Sequence, residues 1–283
     1  MLSYWIMNMR YTKMAAAGNS FAIIEWPESL ELPDSNTVCN WSNAEIGIGF
    51  DQLMIIREAS KISADAKYYI FNADGSKAEQ CGNGARCVAK YLSKKKDKKN
   101  IKLESVSGDV EALVLKDSNV TISLGIPDFN PKSLPFFYND KKDIYITNFK
   151  EISLKYSVLS VGNPHIVVLN DGLGDKNLED ISYFFQNEKN LFPEGVNVGF
   201  MKIINKELIT LRVFERGVGE TLACGTGAVA AVAVGIKYYD LNEKVKVTML
   251  GGELAVSWPS LLDQLWLTGK TNYCNDGEIN YEG

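Results

Sequence analysis

The sequence predicts an α+β protein of two similar domains made by internal duplication, and three observations carry that prediction. Motifs recur at a nearly constant offset: Gly18-Asn19-Ser20-Phe21 lines up with Gly162-Asn163-Pro164-His165 (162 minus 18 is 144), and Cys81-Gly82-Asn83-Gly84 with Cys224-Gly225-Thr226-Gly227 (224 minus 81 is 143). Each Cys-Gly motif opens an apolar helical stretch. Each is then followed by three short β-rich runs separated by turn residues, which read as a meander. Two repeats of this length make two domains, not a solenoid. A chain of 283 residues is also long for a single core.

Taken in order, Tyr11 to Met14 and Phe21 to Glu25 read as strands around the turn Ala17-Gly18-Asn19-Ser20, because Gly and Asn tolerate the turn's backbone angles. Val38 to Glu45 reads as a short helix, Gln52 to Glu58 and Lys67 to Phe71 as strands. The helix after Cys81 is expected to end near Leu92, with the cluster Lys94, Lys95, Lys96, Lys98 and Lys99 as a solvated, dipole-complementing end. The first meander is Ile101 to Val106, Val110 to Leu115 and Val120 to Leu124; the second is Val245 to Leu250, Leu254 to Trp258 and Leu265 to Leu267. Gly125 to Pro135, with three prolines, reads as the linker. The tail from Asn272 to Ile279 exceeds the second repeat and is expected to add a strand to the first domain. The expected domains are therefore 1–125 with 271–283, carrying Cys81, and 126–270, carrying Cys224.

Composition narrows the function. A hydrophobic share of 46% and a charged share of 23% describe a globular chain. A formal charge of -5 gives no basic face for nucleic acid or an anionic membrane. The start lacks a basic segment followed by an apolar one, and no apolar run approaches the ~20 residues of a membrane-spanning helix, so a cytoplasmic location is expected. Five cysteines in an odd set without metal-ligand spacing argue against a disulfide framework or a zinc site. One histidine, His165, leaves no room for a histidine-rich metal centre.

Chemistry concentrates on Cys81 and Cys224. A cysteine at the mouth of a helix sits where unpaired N–H groups point outward, so its thiolate is favoured and its pKa is expected to fall from about 8.5 toward neutrality. If two similar halves pack about a pseudo-twofold axis, equivalent features face one another and two thiols flank one ligand. One thiolate and one thiol on opposite sides of a carbon suit removal of a proton from one face and delivery to the other. The helix N-termini would hold a substrate carboxylate and stabilise the charge that develops beside it. The expected reaction is racemisation or epimerisation at an amino-acid α-carbon, with neither pyridoxal phosphate nor a metal.

The ordered stretches F-N-A-D-G-S-K-A-E-Q-C-G-N-G-A-R-C, G-N-P-H and F-E-R-G-V-G-E-T-L-A-C-G-T-G resemble those of the diaminopimelate epimerase family from about Met9 onward. The resemblance implies two pseudo-symmetric domains, each a mainly antiparallel sheet wrapped around a central helix, a homodimer, and interconversion of LL- and meso-diaminopimelate for lysine and peptidoglycan synthesis. By matching position, it implies that Cys81 and Cys224 are base and acid, and that His165 and Glu215 assist. It also implies that Asn72, Gly82, Asn83, Gly225 and Thr226 surround the reacting centre, that Asn163, Asn197, Glu215 and Arg216 hold the distal end, and that Asn19 and Gln52 bind as well. Arg216 would grip the second carboxylate with two parallel hydrogen bonds.

Without the resemblance, the asparagines read as turn residues, Glu215-Arg216 as a surface ion pair and His165 as a core histidine. Cys39, Cys87 and Cys274 read as structural. The chain departs from the family at its first loop, where Ala15, Ala16 and Ser20 replace the usual histidine, glycine and aspartate; Phe50 replaces a small residue, and Met1 to Asn8 form an extension. These departures keep two alternatives open: a racemase for another amino acid, and a degenerate or redox-sensing relative whose thiols form a reversible disulfide.

Overall fold

The computed structural model describes residues 6–138 and 142–282. The chain divides into two compact units: the first runs up to Ile122 and takes back the chain from Gly269 onward, and the second spans Ser123–Thr268. Of the amino-terminal extension, residues 1–5 lie outside the described residues, while Ile6 to Asn8 pair with Asn280 to Glu282.

In the first unit the elements are β1 (Ile6–Ala16), β2 (Asn19–Glu25), α1 (Ser35–Ser42), β3 (Gln52–Arg57), β4 (Ala66–Asn72), β5 (Lys77–Ala78), α2 (Gly82–Lys96), β6 (Asn100–Ser105), β7 (Gly108–Val114) and β8 (Asn119–Ser123). The second holds β9 (Tyr145–Phe149), β10 (Ile152–Ser160), β11 (Pro164–Leu169), α3 (Leu178–Asn187), β12 (Asn197–Asn205), β13 (Leu208–Glu215), β14 (Gly219–Thr221), α4 (Gly225–Tyr238), β15 (Lys244–Met249), β16 (Gly252–Ser257) and β17 (Trp266–Lys270). The last strand, β18 (Asn272–Glu282), pairs with β1.

The duplication is visible in the pairing. The first unit orders its strands β18-β1-β2-β3-β4-β6-β7-β8, antiparallel except where β2 meets β3 and β4 meets β6. The second orders them β9-β10-β11-β12-β13-β15-β16-β17, with β11–β12 and β13–β15 parallel in the same places. Within each unit one helix is enclosed by sheet: α2 packs against β1, β2, β3, β6 and β7, and α4 against β10 to β13 and β16. Such a helix has little face left for water. Accordingly α4 is buried at every position from Gly225 to Gly235, while α2 is buried from Gly82 to Ala89 and carries its exposed lysines, Lys94 to Lys96, in its last turn.

Several elements differ from the sequence reading for local reasons. Asp34 Oδ1 accepts the Thr37 N–H at 2.7 Å, which starts α1 at Ser35 instead of Val38. The lysines after Leu92 are good helix formers, so α2 continues to Lys96 and stops only at Asp97, a left-handed cap whose N–H returns to the Ser93 carbonyl. Gly125 to Pro135 is not a loose linker. Asp128 and Ser160 exchange backbone hydrogen bonds, Leu265 donates to Gly125, and Leu134 is buried in the second unit's core.

Candidate active site

The first unit's site grows from the α2 N-terminus. Cys81 is the N-cap, in extended conformation, and its Sγ accepts the Gly84 N–H at 3.3 Å. A Cβ on Gly84 would lie 2.8 Å from Met54 Sδ and Cε, so a larger residue at this helix end would require the end of the Met54 side chain to shift. Asn83 is buried, donates to Asn19 Oδ1 at 3.0 Å and accepts from Arg86 at 2.8 Å. Beside it, Gln52 donates to Asn72 Oδ1 at 2.9 Å across β3 and β4. Thus Asn19, Gln52, Asn72, Gly82 and Asn83 all belong to the Cys81 unit, on β2, β3, β4 and the first turn of α2.

The altered first loop has a physical account. Ser20 gives both its N–H (2.6 Å) and its hydroxyl (2.9 Å) to Asp51 Oδ2. An aspartate at position 20 would bring a second carboxylate to that oxygen, whereas serine supplies a donor. Phe50, the other departure, is buried in the cluster with Trp26, Trp41 and Ile48.

The second unit repeats the plan with different chemistry. Cys224 caps α4, and its Sγ accepts the Gly227 N–H at 3.4 Å and lies 3.4 Å from the Thr226 hydroxyl. The expectation that a helix mouth lowers this thiol's pKa fails here. Burial first, and then the Glu215 carboxylate, push it up to about 12, outweighing the Thr226 and Gly227 hydrogen bonds. Glu215 is itself oriented by the Thr221 hydroxyl at 2.8 Å. Asn197 sits opposite His165 in the parallel β11–β12 pair, donates to the Pro164 carbonyl and accepts the Arg216 N–H at 3.0 Å.

His165 is fully enclosed. With Nε2 protonated it donates to Asn163 Oδ1 at 2.9 Å, leaving buried Nδ1 with no partner among the described residues. Burial alone lowers its pKa to about 3, so it is neutral throughout the physiological range. The unfolded chain binds this proton below about pH 6.5 and the folded chain does not, so its contribution to stability is present above pH 6.5 and lost as pH falls toward 3. Denaturant midpoints measured from pH 7 to pH 4 should therefore fall for the parent protein and fall less steeply for His165→Phe, which borrows the residue at the equivalent position 21. Parallel slopes would show that His165 is not the group responsible.

Sequence reasoning did not single out Arg86, Asp51 or Thr221. The signal for Arg86 was a charged residue where its repeat partner is Val229; Asp51 and Thr221 gave none, since each matters only through a neighbour brought close by strand pairing.

The fold recurs in solved structures of isomerases and their relatives. A methylitaconate-delta-isomerase matches with TM-score 0.68 at 13% identity, covering 97% of this chain and 96% of that one. A hydroxyproline epimerase from Agrobacterium vitis matches with TM-score 0.66 at 13% identity over 98% and 93%, and a PhzF-family phenazine biosynthesis protein from Bacillus anthracis with 0.64 at 15% identity over 96% and 99%. These likenesses define a fold of two repeated α/β domains. In sequence, the diaminopimelate epimerase family description matches residues 11–129 and 157–273. The diaminopimelate epimerase of Blochmanniella pennsylvanica is 39% identical over 275 residues, covering 96% of this chain and all of that one. The chain belongs to the diaminopimelate epimerase family, and it is an isomerase.

Proposed function

We propose that the protein epimerises LL-diaminopimelate to meso-diaminopimelate without a cofactor, with Cys81 and Cys224 as the exchanging base and acid. The observation that carries this is the pair of thiol N-caps on two buried helices, each accepting a backbone N–H from its own first turn. A thiolate removes the α-proton and becomes a thiol; the opposite thiol gives up its proton and becomes a thiolate, so protons balance over one turnover. Outward N–H groups of the two first turns, at Gly82 and Asn83 and at Gly225 and Thr226, stabilise the carboxylate as charge develops on it. His165 and Glu215 orient the substrate amine; Asn163, Asn197 and Arg216 hold the distal end, and Asn19, Gln52 and Asn72 complete the binding set. The same reading makes the protein a cytoplasmic homodimer serving lysine and peptidoglycan synthesis. Among the described residues no helix is long and apolar enough to cross a membrane, and no cluster of side chains suited to a metal ion is present.

The test is incubation of the reduced protein with LL-diaminopimelate in deuterium oxide, with no added cofactor. Solvent deuterium should enter the α-carbon as meso product accumulates. Exchange only with a monocarboxylic amino acid would replace the substrate, in favour of the alternative racemase; no exchange with either would favour the redox-sensing alternative.

A further inference from the structure

Arg86 is the largest fully buried side chain among the described residues. Its guanidinium does not give up its charge, and burying such a charge without a counter-charge is costly. Yet it makes a single hydrogen bond, from one terminal nitrogen to Asn83 Oδ1 at 2.8 Å, while Nε and the other terminal nitrogen have no partner among the described residues. No ion pair joins it to a carboxylate among those residues. Burial works against its charge, and the groups whose charge would favour it are Cys87 and then Cys81. Cys87 is fully buried, and burial pushes its thiol far up. Tyr68 of β4, on which Cys81 also acts, is likewise held neutral by burial. Cys81, half-buried at the open end of the helix, is the remaining group that can supply a negative charge.

The duplicated half lacks this arrangement. The equivalent of Arg86 in α4 is Val229 (86 plus 143), buried and apolar, and the charge beside Cys224 is the Glu215 carboxylate. The two thiols thus have opposite surroundings: a fixed cation behind one, an anion beside the other.

We propose that Arg86 is a positioning residue: it pins Asn83 at the mouth of α2, and its buried charge holds Cys81 as thiolate, so that the resting enzyme lacks its one thiol proton at Cys81 and keeps the other at Cys224. This rests on the reading of Cys81 and Cys224 as base and acid. The Arg86–Asn83–Asn19 chain fixes the loop that carries the thiolate, and no step places Arg86 on substrate. In the LL-to-meso or the reverse direction, the isomer whose α-proton faces Cys81 meets a ready enzyme. The other isomer must wait for a proton to move from Cys224 to Cys81 through solvent.

The experiment reads the thiols directly and needs no turnover. Thiolate absorbance near 240 nm is followed with pH in the parent protein and in Cys81→Ser; the difference should titrate below the ordinary thiol range of about 8.5. A difference titrating at or above that range overturns the proposal. Iodoacetamide alkylation, mapped by peptide to Cys81 and Cys224, is then compared in Arg86→Met, which removes charge and hydrogen bond, and Arg86→Gln, which keeps a donor toward Asn83. Both should shift the Cys81 profile upward by at least one pH unit, about tenfold slower labelling at pH 7, and leave Cys224 unmoved. An unchanged Cys81 profile in a folded variant, even with reduced turnover, makes Arg86 merely structural and overturns the proposal. Should neither variant fold, the absorbance titration decides alone. If instead Cys81→Ala retains turnover, the base-and-acid reading falls, whatever the titration shows.

Discussion

Cys81→Ala and Cys224→Ala should each lower kcat by on the order of 10³-fold, because in the proposed two-base scheme each removes a group that carries a proton in every turnover. The folds should survive. Losing a side-chain cap costs about 1 kcal/mol, and the backbone of each first turn remains bonded to its cap carbonyl, with Ala85 donating to the Cys81 carbonyl and Ala228 to that of Cys224, both at 2.9 Å. The two variants should nevertheless differ. Cys224→Ala leaves the Cys81 base intact, so the isomer whose α-proton faces Cys81 should still exchange that proton with deuterium oxide while inverting poorly. Steady-state turnover and the deuterium content of recovered substrate measure the two effects separately. Near-normal turnover by either folded variant would exclude the two-base scheme.

Much of this was legible in the sequence because it is carried by short, contiguous motifs. A Cys-Gly pair ahead of an apolar run fixes a helix N-terminus, and its repetition 143 residues later fixes the duplication. Strands β2 and β11 could be aligned through Gly-Asn and the apolar residues after it. What was not legible depends on contacts between distant segments. The helix mouth alone argues for an acidic thiol at Cys224, but enclosure of α4 and the approach of Glu215 from the end of β13 reverse the sign. Likewise the loop at Ser20 looked depleted until strand pairing brought Asp51 to it. The second unit's β9, β10 and α3 mix apolar with polar or charged residues without sharp turn signals, so they were not legible. Proline spacing made Gly125 to Pro135 resemble a linker, although its apolar residue Leu134, and Phe136 just beyond it, belong to a core. Arg86 is the most instructive case: a charged residue in a helix is expected on the solvated face, and only the packing of the sheet around α2 shows it fully enclosed.

Arg216 carries the second large prediction, because it separates the proposed dicarboxylate substrate from a simpler amino acid. It directly follows the last residue of β13 and is exposed, with its N–H held by Asn197 Oδ1 at 3.0 Å and one terminal nitrogen on the Glu194 carbonyl at 3.3 Å. Its Cγ and Cδ pass over Gly195, where an added Cβ would lie only 3.2 Å from them, so the stem is guided while the guanidinium makes no ion pair among the described residues. A charge-assisted pair to a carboxylate contributes about 1.5–3 kcal/mol, so Arg216→Met should raise KM for diaminopimelate by roughly 10- to 150-fold. Because the distal carboxylate is bound alike in the ground and transition states, kcat should change much less. Arg216→Lys should recover only part of the loss, since an ammonium cannot reproduce the planar fork. Kinetics on the LL isomer, with structural integrity checked by thermal unfolding, measure this split. Should Arg216→Met leave KM unchanged, the distal carboxylate is held elsewhere or the substrate has none, and the racemase reading gains what the epimerase reading loses.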